Sequence, residues 1–325
     1  MKRISSYVII FTSFIILSAL ITFIGCEGPQ GPEGPMGLSA DPNPGQCGTC
    51  HNVSTVILAK QIQYQESGHA QGEAYLRSTS AGCAPCHSNE GFRMKIAGEE
   101  VVGIDNPTPQ NCRTCHNIHT NFTQDDFMLS TTLPVELTGI MYNGDVVDFG
   151  AGNLCANCHQ SRPRDGLVLG GDDVKIDSAH WGPHHGTQSN ILAGSGGFEL
   201  AGPVEYLDSG HTKGVADGCV ACHLSSHSLV PNVKSCEACH PGIKDFDYEG
   251  VQSEVTALLD ELEDILIEAG LLSEKGDLGT VSGVTVSSTK AGALLNYLMV
   301  AEDGSHGVHN ANYTKALLKN SIAAF

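Results

Sequence analysis

The chain is short of what an ordinary soluble core is built from. A single tryptophan, Trp181, stands in 325 residues, and aromatic residues make up only 6%. From the end of the first apolar run to about residue 245 no long periodic apolar stretch occurs, and glycine, proline and polar residues fill the space. Such a composition cannot bury enough apolar surface to offset the entropy of ordering the chain. Something other than side chains must therefore supply a core. Basic residues are scarce too: 17 Lys and Arg face 36 Asp and Glu, for a net charge of −19. That deficit excludes nucleic acid as a partner. It suits a solvated acidic surface or a basic partner, and it repels anionic substrates.

Cysteine and histidine are abundant instead, with 13 and 15 copies. Twelve of the cysteines fall in six repeats of one pattern, each closed by a histidine: Cys47-Cys50-His51, Cys83-Cys86-His87, Cys112-Cys115-His116, Cys155-Cys158-His159, Cys219-Cys222-His223 and Cys236-Cys239-His240. A disulfide framework has no reason to set histidine after every pair, and a zinc ribbon uses thiolates without needing histidines in register. C-x-x-C-H is the signal for covalent c-type haem. The two sulfurs form thioethers to the porphyrin edge and the histidine becomes the proximal ligand of the iron. Six haems also answer the missing core, because each porphyrin is a large apolar body around which loops and short helices can pack. The expected fold is mainly α with extensive loops and very little sheet, organised around six haems, with a short helix after each motif.

The thirteenth cysteine, Cys26, ends an apolar run from Val8 to Ile24 that follows Met1-Lys2-Arg3. Residues 1–25 read as a signal peptide, and Gly25-Cys26 as a lipoprotein processing site. Phe23 departs from the leucine usual three places before the cysteine, which leaves a plain membrane anchor or ordinary secretion as alternatives. "EGPQGPEGPMG", residues 27–37, has glycine at every third place and reads as a collagen-like, extended spacer. Four segments follow: leader 1–25, lipidated Cys26 and tether 26–46, a hexahaem-binding region 47–245, and a C-terminal helical region 246–325 that packs on the haem core and supplies a distal ligand. In that last region the apolar period predicts helices over Val251–Leu272, Ala291–Val300 and about Ala311–Ala323.

Nine further histidines remain: His69, His119, His180, His184, His185, His211, His227, His306 and His309. They outnumber six irons, so methionine is not needed as a ligand. "ESGHA" before "CAPCHSNEGF", "NPTPQNCRTCHNIH", "AHWGPHHGTQSNILAG", "DSGHT" before "CVACH", and "DGSHGVHNANYTKALLKNSI" resemble the multihaem c-type cytochromes of respiratory bacteria. The resemblance runs over most of residues 47–325. It extends both to outer-surface hexahaem electron conduits and to the nitrite reductase and hydroxylamine oxidoreductase superfamily. It implies distal ligands at His69, His119, His184, His211, His227 and His309, with the choice of His184 over His185 weakly determined and His180, His185 and His306 as spares. If the helical turn of Cys112–Cys115 continues, His119 stays on the same side as His116 and serves a different haem. His223 and His227 repeat the arrangement.

The resemblance also implies bis-histidine electron transfer in extracytoplasmic or extracellular respiration, exchanging electrons with redox proteins or extracellular acceptors. The protein is then exported and held on the periplasmic side or outer surface through lipid on Cys26. The ammonia-forming nitrite reductases carry lysine in place of one motif histidine, and no C-x-x-C-K occurs here. Tyr64, Tyr75, Tyr142 and Tyr206 read as packing residues. An electron carrier, with no catalytic residue, is the main expectation. A multihaem reductase of nitrogen or sulfur oxyanions, or an oligomeric filament protomer, is the alternative.

Overall fold

A computed structural model describes residues 55–139, 146–162 and 171–325. The leader, Cys26, the tether and the first motif (Cys47, Cys50, His51) lie outside the described residues. The architecture is mainly α. Among the described residues the only sheets are two antiparallel two-stranded ones: β1 (Val135–Glu136) with β2 (Val146–Val147), and β3 (Val174–Lys175) with β4 (Thr285–Val286).

The helices of the first part are short. α1 spans Thr55–Gln65, α2 Ala84–His87, α3 Asn89–Ile96, α4 Cys112–Cys115, α5 Asn153–Ala156, α6 Gln188–Ala193, α7 Gly210–Gly214 and α8 Cys219–His223. Four of these lie on motifs, and the sixth motif is entered through a 3-10 turn, Val233–Cys236. The motif itself makes the turn. The histidine N–H donates to the first cysteine's carbonyl at 3.0 Å in His87, 2.9 Å in His116, 3.0 Å in His159 and 2.8 Å in His240. Residues three and four apart share one side of a helical turn, so both sulfurs and the imidazole are gathered together.

A helix directly after each motif is not what forms. Among the described motifs only Cys83-Cys86-His87 is followed at once by one, α3, started by Ser88, whose Oγ accepts from the Gly91 N–H at 3.2 Å. α3 can approach α2 because residue 91 is glycine: a Cβ there would stand 2.2 Å from the Ala84 carbonyl oxygen. After Cys115 the chain leaves the helix. His116 is extended, at φ −124° and ψ 154°, and His119 is left-handed at φ 66°. The continued helix that would have placed His119 therefore does not exist.

The C-terminal helices carry the one large apolar cluster among the described residues. α9 spans Val251–Glu268, α10 Ser288–Asp303 and α11 Ala311–Ala323. α9 stops short of the expected Leu272 because Gly270 turns left-handed at φ 70°. α10 is longer than its apolar period suggests, being capped by Ser287 and ended by Gly304 at φ 69°. It is buried on nearly every face. Asn296 is 0% exposed; its amide accepts from the Phe198 N–H at 2.7 Å and donates to the Phe198 carbonyl at 2.8 Å. Ile176, Trp181, Ile191 and Phe198 share this cluster with all three helices. The earlier region has only a small cluster around Val135, Leu137, Phe149, Ala156 and Leu192.

Candidate functional site

A cavity of about 1680 Å³ runs through the part that lacks an apolar core. The motif residues Cys83, Cys86, Cys112, Cys115, Cys155, Cys158 and Cys219 line it, with apolar and aromatic neighbours that include Val56, Tyr64, Phe92 and Phe122. The ten described motif cysteines, Cys222, Cys236 and Cys239 among them, are all free of disulfides.

Five histidine pairs form, and both rings of three of them, His87–His184, His116–His227 and His159–His69, line this space. Ring centroids lie 6.0 Å apart in His87 and His184, 6.3 Å in His116 and His227, and 5.9 Å in His159 and His69. They lie 6.2 Å apart in His223 and His309 and 5.9 Å in His240 and His211. Each pair joins one motif histidine to one histidine outside the motifs, and no residue is used twice. Two imidazoles on opposite sides of one metal stand roughly 6 Å apart, since each nitrogen lies about 2 Å from the ion and the ring centre about 1 Å behind it. The paired residues therefore fit an iron between them, and the cysteines beside each motif histidine fit the two thioethers of a c-type haem.

Hydrogen bonds orient the rings. Nδ1 of His116 lies 2.7 Å from the Phe127 carbonyl oxygen, that of His211 2.6 Å from the Val308 carbonyl, and that of His223 3.1 Å from the Leu229 carbonyl. His159 meets Gln188 Oε1 at 3.1 Å. An Nδ1–H held this way leaves Nε2 as the lone pair for a metal. The Nδ1 of His227 is buried without a hydrogen-bond partner. Burial, reinforced by the charge of His159, lowers His69 to about 4. Burial, with Arg162 next in weight, lowers His184 to about 4. His87, His159 and His227 are also lowered, chiefly by burial. A lowered value favours the neutral imidazole, the form that ligates.

The spare histidines are placed differently. His185 is 76% exposed and faces Glu302 at 2.7 Å, and His306 meets the Thr256 hydroxyl at 2.9 Å on the surface. His180 is exposed beside Ser178. His119 stacks on Phe122 at 5.7 Å, in a loop organised by the buried Asp126, which accepts from the His119 N–H at 2.8 Å and the Asn121 N–H at 2.7 Å. The one motif histidine that none of the five pairs includes, His51, lies outside the described residues. Asp126, Gln188, Glu302 and Asp303 do not stand out in the sequence. Their only local signal is Gly304 after Asp303, which marks a helix end but not a buried carboxylate.

The motifs also abut one another. Gln110 Nε2 donates to the Cys86 carbonyl at 2.6 Å and Thr114 Oγ1 to Asn89 Oδ1 at 3.1 Å, joining the third motif to the second. Cys86 Sγ lies 4.0 Å from the Asn157 carbonyl oxygen and Cys158 Sγ 3.8 Å from that of Pro85, joining the second to the fourth. Cys219 Sγ lies 4.0 Å from the Gly152 carbonyl, joining the fourth to the fifth. The 3-10 turn of the sixth packs on α8 of the fifth. These contacts connect the motifs in the order third, second, fourth, fifth, sixth, with Cys115 of the third also close enough to the fourth to act on Cys155 and Cys158.

No protein-family profile matches this chain, and no curated protein matches it. Two solved structures are similar. The crystal structure of the outer cell wall cytochrome OcwA is 20% identical with a TM-score of 0.50, over 82% of this chain and 50% of that one. An undecahaem cytochrome from the S-layer of Carboxydothermus ferrireducens is 17% identical with a TM-score of 0.43, over 82% of this chain and 39% of that one. The chain thus spans about half the length of OcwA. Its fold is that of a multihaem cytochrome.

Proposed function

We propose that the chain is an electron carrier holding six c-type haems, each with two histidine ligands, and that it works outside the cytoplasm. Haem supplies a one-electron iron couple when bound; the protein's residues hold it, fill both axial positions and keep small molecules off the iron. The observation that carries this reading is the set of five pairs, each of one motif histidine and one other histidine, 5.9 to 6.3 Å apart. His184, His227, His69, His309 and His211 are then the distal ligands opposite His87, His116, His159, His223 and His240. By elimination His119 serves with His51, beside Cys47 and Cys50. A carrier suits two filled axial sites, because a change of redox state then moves few atoms.

The order of the motifs gives the row two ends. His119 follows His116 by three residues, so the haem that His119 would ligate lies beside that of the third motif, at one end. The sixth motif, with Cys239 exposed, forms the other. Lipid on Cys26 holds the tether at a membrane, and electrons run along the row to an acceptor at the sixth motif. OcwA is a cytochrome of the outer cell wall, and a comparable position for this chain suits extracellular respiration.

Haem quantification by intact mass, combined with electron paramagnetic resonance of the oxidised protein, tests the reading. Six covalent haems, all low-spin, are expected, with little turnover of nitrite, hydroxylamine or tetrathionate. One persistent high-spin iron per chain together with oxyanion reduction would overturn it in favour of a reductase.

A further inference from the structure

The paired imidazoles differ in what stands behind them. Nδ1 of His116, His159, His211 and His223 meets a carbonyl or amide oxygen, neutral in every case. Nδ1 of His309 meets a carboxylate: Asp303 Oδ1 is 2.6 Å away, on a side chain only 1% exposed. The carboxylate is held at its far side too. Asp303 Oδ2 accepts from the Ser305 backbone N–H at 3.2 Å and from the Ser305 hydroxyl. That hydroxyl in turn accepts from the His309 N–H at 3.2 Å.

The backbone adds to the same charge. Asp303 is the last residue of α10, the carbonyl end of the helix dipole, and left-handed Gly304 returns the chain so that His309 faces it. The same end reaches a second ring. Gln188 Nε2 donates to the carbonyls of Glu302 at 3.0 Å and Asp303 at 3.2 Å, while its Oε1 meets His159. At the second motif the sign is opposite, with Arg77 and Arg162 acting on His87 and His184.

We infer that Asp303 is a positioning residue that makes the iron site of His223 and His309 the hardest to reduce of the five whose histidine pairs are described. The inference rests on the bis-histidine reading above. Reduction removes one positive charge from the site, so a buried carboxylate bonded to the ligand favours the oxidised state and makes the imidazole a stronger donor. Hydrogen bonds to an ionised acceptor are about twice as strong as those to a neutral one. The expected bias is roughly tenfold toward the oxidised form, which is about 59 mV for a one-electron couple. The site lies between the fourth and sixth motifs, so electrons rest on either side of it and pass over it.

The test is a spectroscopically monitored redox titration of the haem-loaded full chain, with spin state read by electron paramagnetic resonance. Asp303→Asn keeps an oxygen toward Nδ1 but removes the charge. It should raise one midpoint by the tenfold step, with six low-spin haems retained, and Asp303→Glu should return that midpoint toward the wild-type value. Ser305→Ala withdraws a donor from the far oxygen and should move the same midpoint down, which keeps the inference testable if the asparagine variant does not fold. Unchanged midpoints in Asp303→Asn and Ser305→Ala, with all irons low-spin, would overturn the inference. So would a high-spin iron in Asp303→Asn, which would show that the carboxylate only holds the ring in place. A high-spin iron already present in the wild type would instead sink the bis-histidine reading, and the two failures are thereby told apart.

Discussion

Replacing His69 by alanine tests the proposed ligand role of one histidine in the middle of the row. His69 sits in a 3-10 turn, Gly68–Ala70, closed by the Ala70 N–H donating to the Ser67 carbonyl at 3.1 Å, with Ser67 fully buried. None of these contacts involves the imidazole, so the turn persists in the variant. What is lost is the ring 5.9 Å from His159. All six cysteine pairs remain, so the covalent haem content should not change, while about one iron in six becomes high-spin. The vacancy has the shape of one imidazole, and free imidazole should refill it. A ligand tethered by the chain is presented at an effective concentration in about the millimolar range or above. Restoring the low-spin state therefore needs at least ~1 mM free imidazole by that measure. Spin quantification across an imidazole titration reads both effects, and stopped-flow reduction should show slowed passage that imidazole restores. His306→Ala serves as the contrast, because His306 meets only a surface hydroxyl. If His69→Ala stays fully low-spin without added ligand, or if His306→Ala does not, the pairing is wrong.

Two further outcomes follow from the geometry. The planes of His116 and His227 lie 18° apart, whereas those of His211 and His240 lie 86° apart. Near-parallel rings split the iron d orbitals that perpendicular rings leave close in energy, so one rhombic and one strongly axial low-spin signal should appear. His211→Ala should abolish only the axial one; its survival would remove that assignment. Glu254 joins α9 to α11 through Lys315 at 2.6 Å and Lys319 at 2.7 Å, and these contacts hold its carboxyl below the ordinary value of 4.5. A lowered folded value means the stabilisation is present above pH 4.5 and is lost as the pH falls through that folded value. The pair is partly exposed, so Glu254→Gln should cost about 1 kcal/mol at neutral pH. Thermal melts of variant and wild type should converge in acid, and a difference that grows toward low pH would contradict the sign.

Much of the fold was legible where one local chemistry fixed the spacing. The C-x-x-C-H motifs are read from sequence because two thioethers and a ligand must come from a single helical turn. α11, expected at about Ala311–Ala323, spans Ala311–Ala323, because its apolar face repeats every third or fourth place. The ends of α9 and α10 are less legible, since Gly270 and Gly304 act through left-handed geometry and not through the apolar period. The histidine pairs are not legible at all by spacing. His159 faces His69 and His223 faces His309, partners brought together only by the packing of distant segments. His184 and His185 are equivalent neighbours in the sequence. What distinguishes them is a backbone at φ 67° that turns His184 toward His87 and leaves His185 exposed to Glu302.

The two parts of the molecule are held together by different means, and the joint between them lies at the paired histidines. The C-terminal helices have an apolar core of the ordinary kind, with Leu262, Leu266, Leu294, Leu295 and Leu317 fully buried. The motif-bearing part has few such residues, and a large apolar-lined cavity occupies the place a core would take. Side-chain packing alone therefore cannot set the positions of His69, His87 or His116 to the precision that ligation needs. Contacts with the rigid part set other histidines, and they converge on one turn. Glu302 holds His185, the carbonyls of Glu302 and Asp303 hold Gln188 behind His159, and Asp303 holds His309. Thr187 ties the same segment down by donating to the Met299 carbonyl at 2.7 Å from a fully buried position. A helix anchored on all faces in an apolar core thus ends where three histidine environments meet, and its last turn carries the order of that core into the row of motifs.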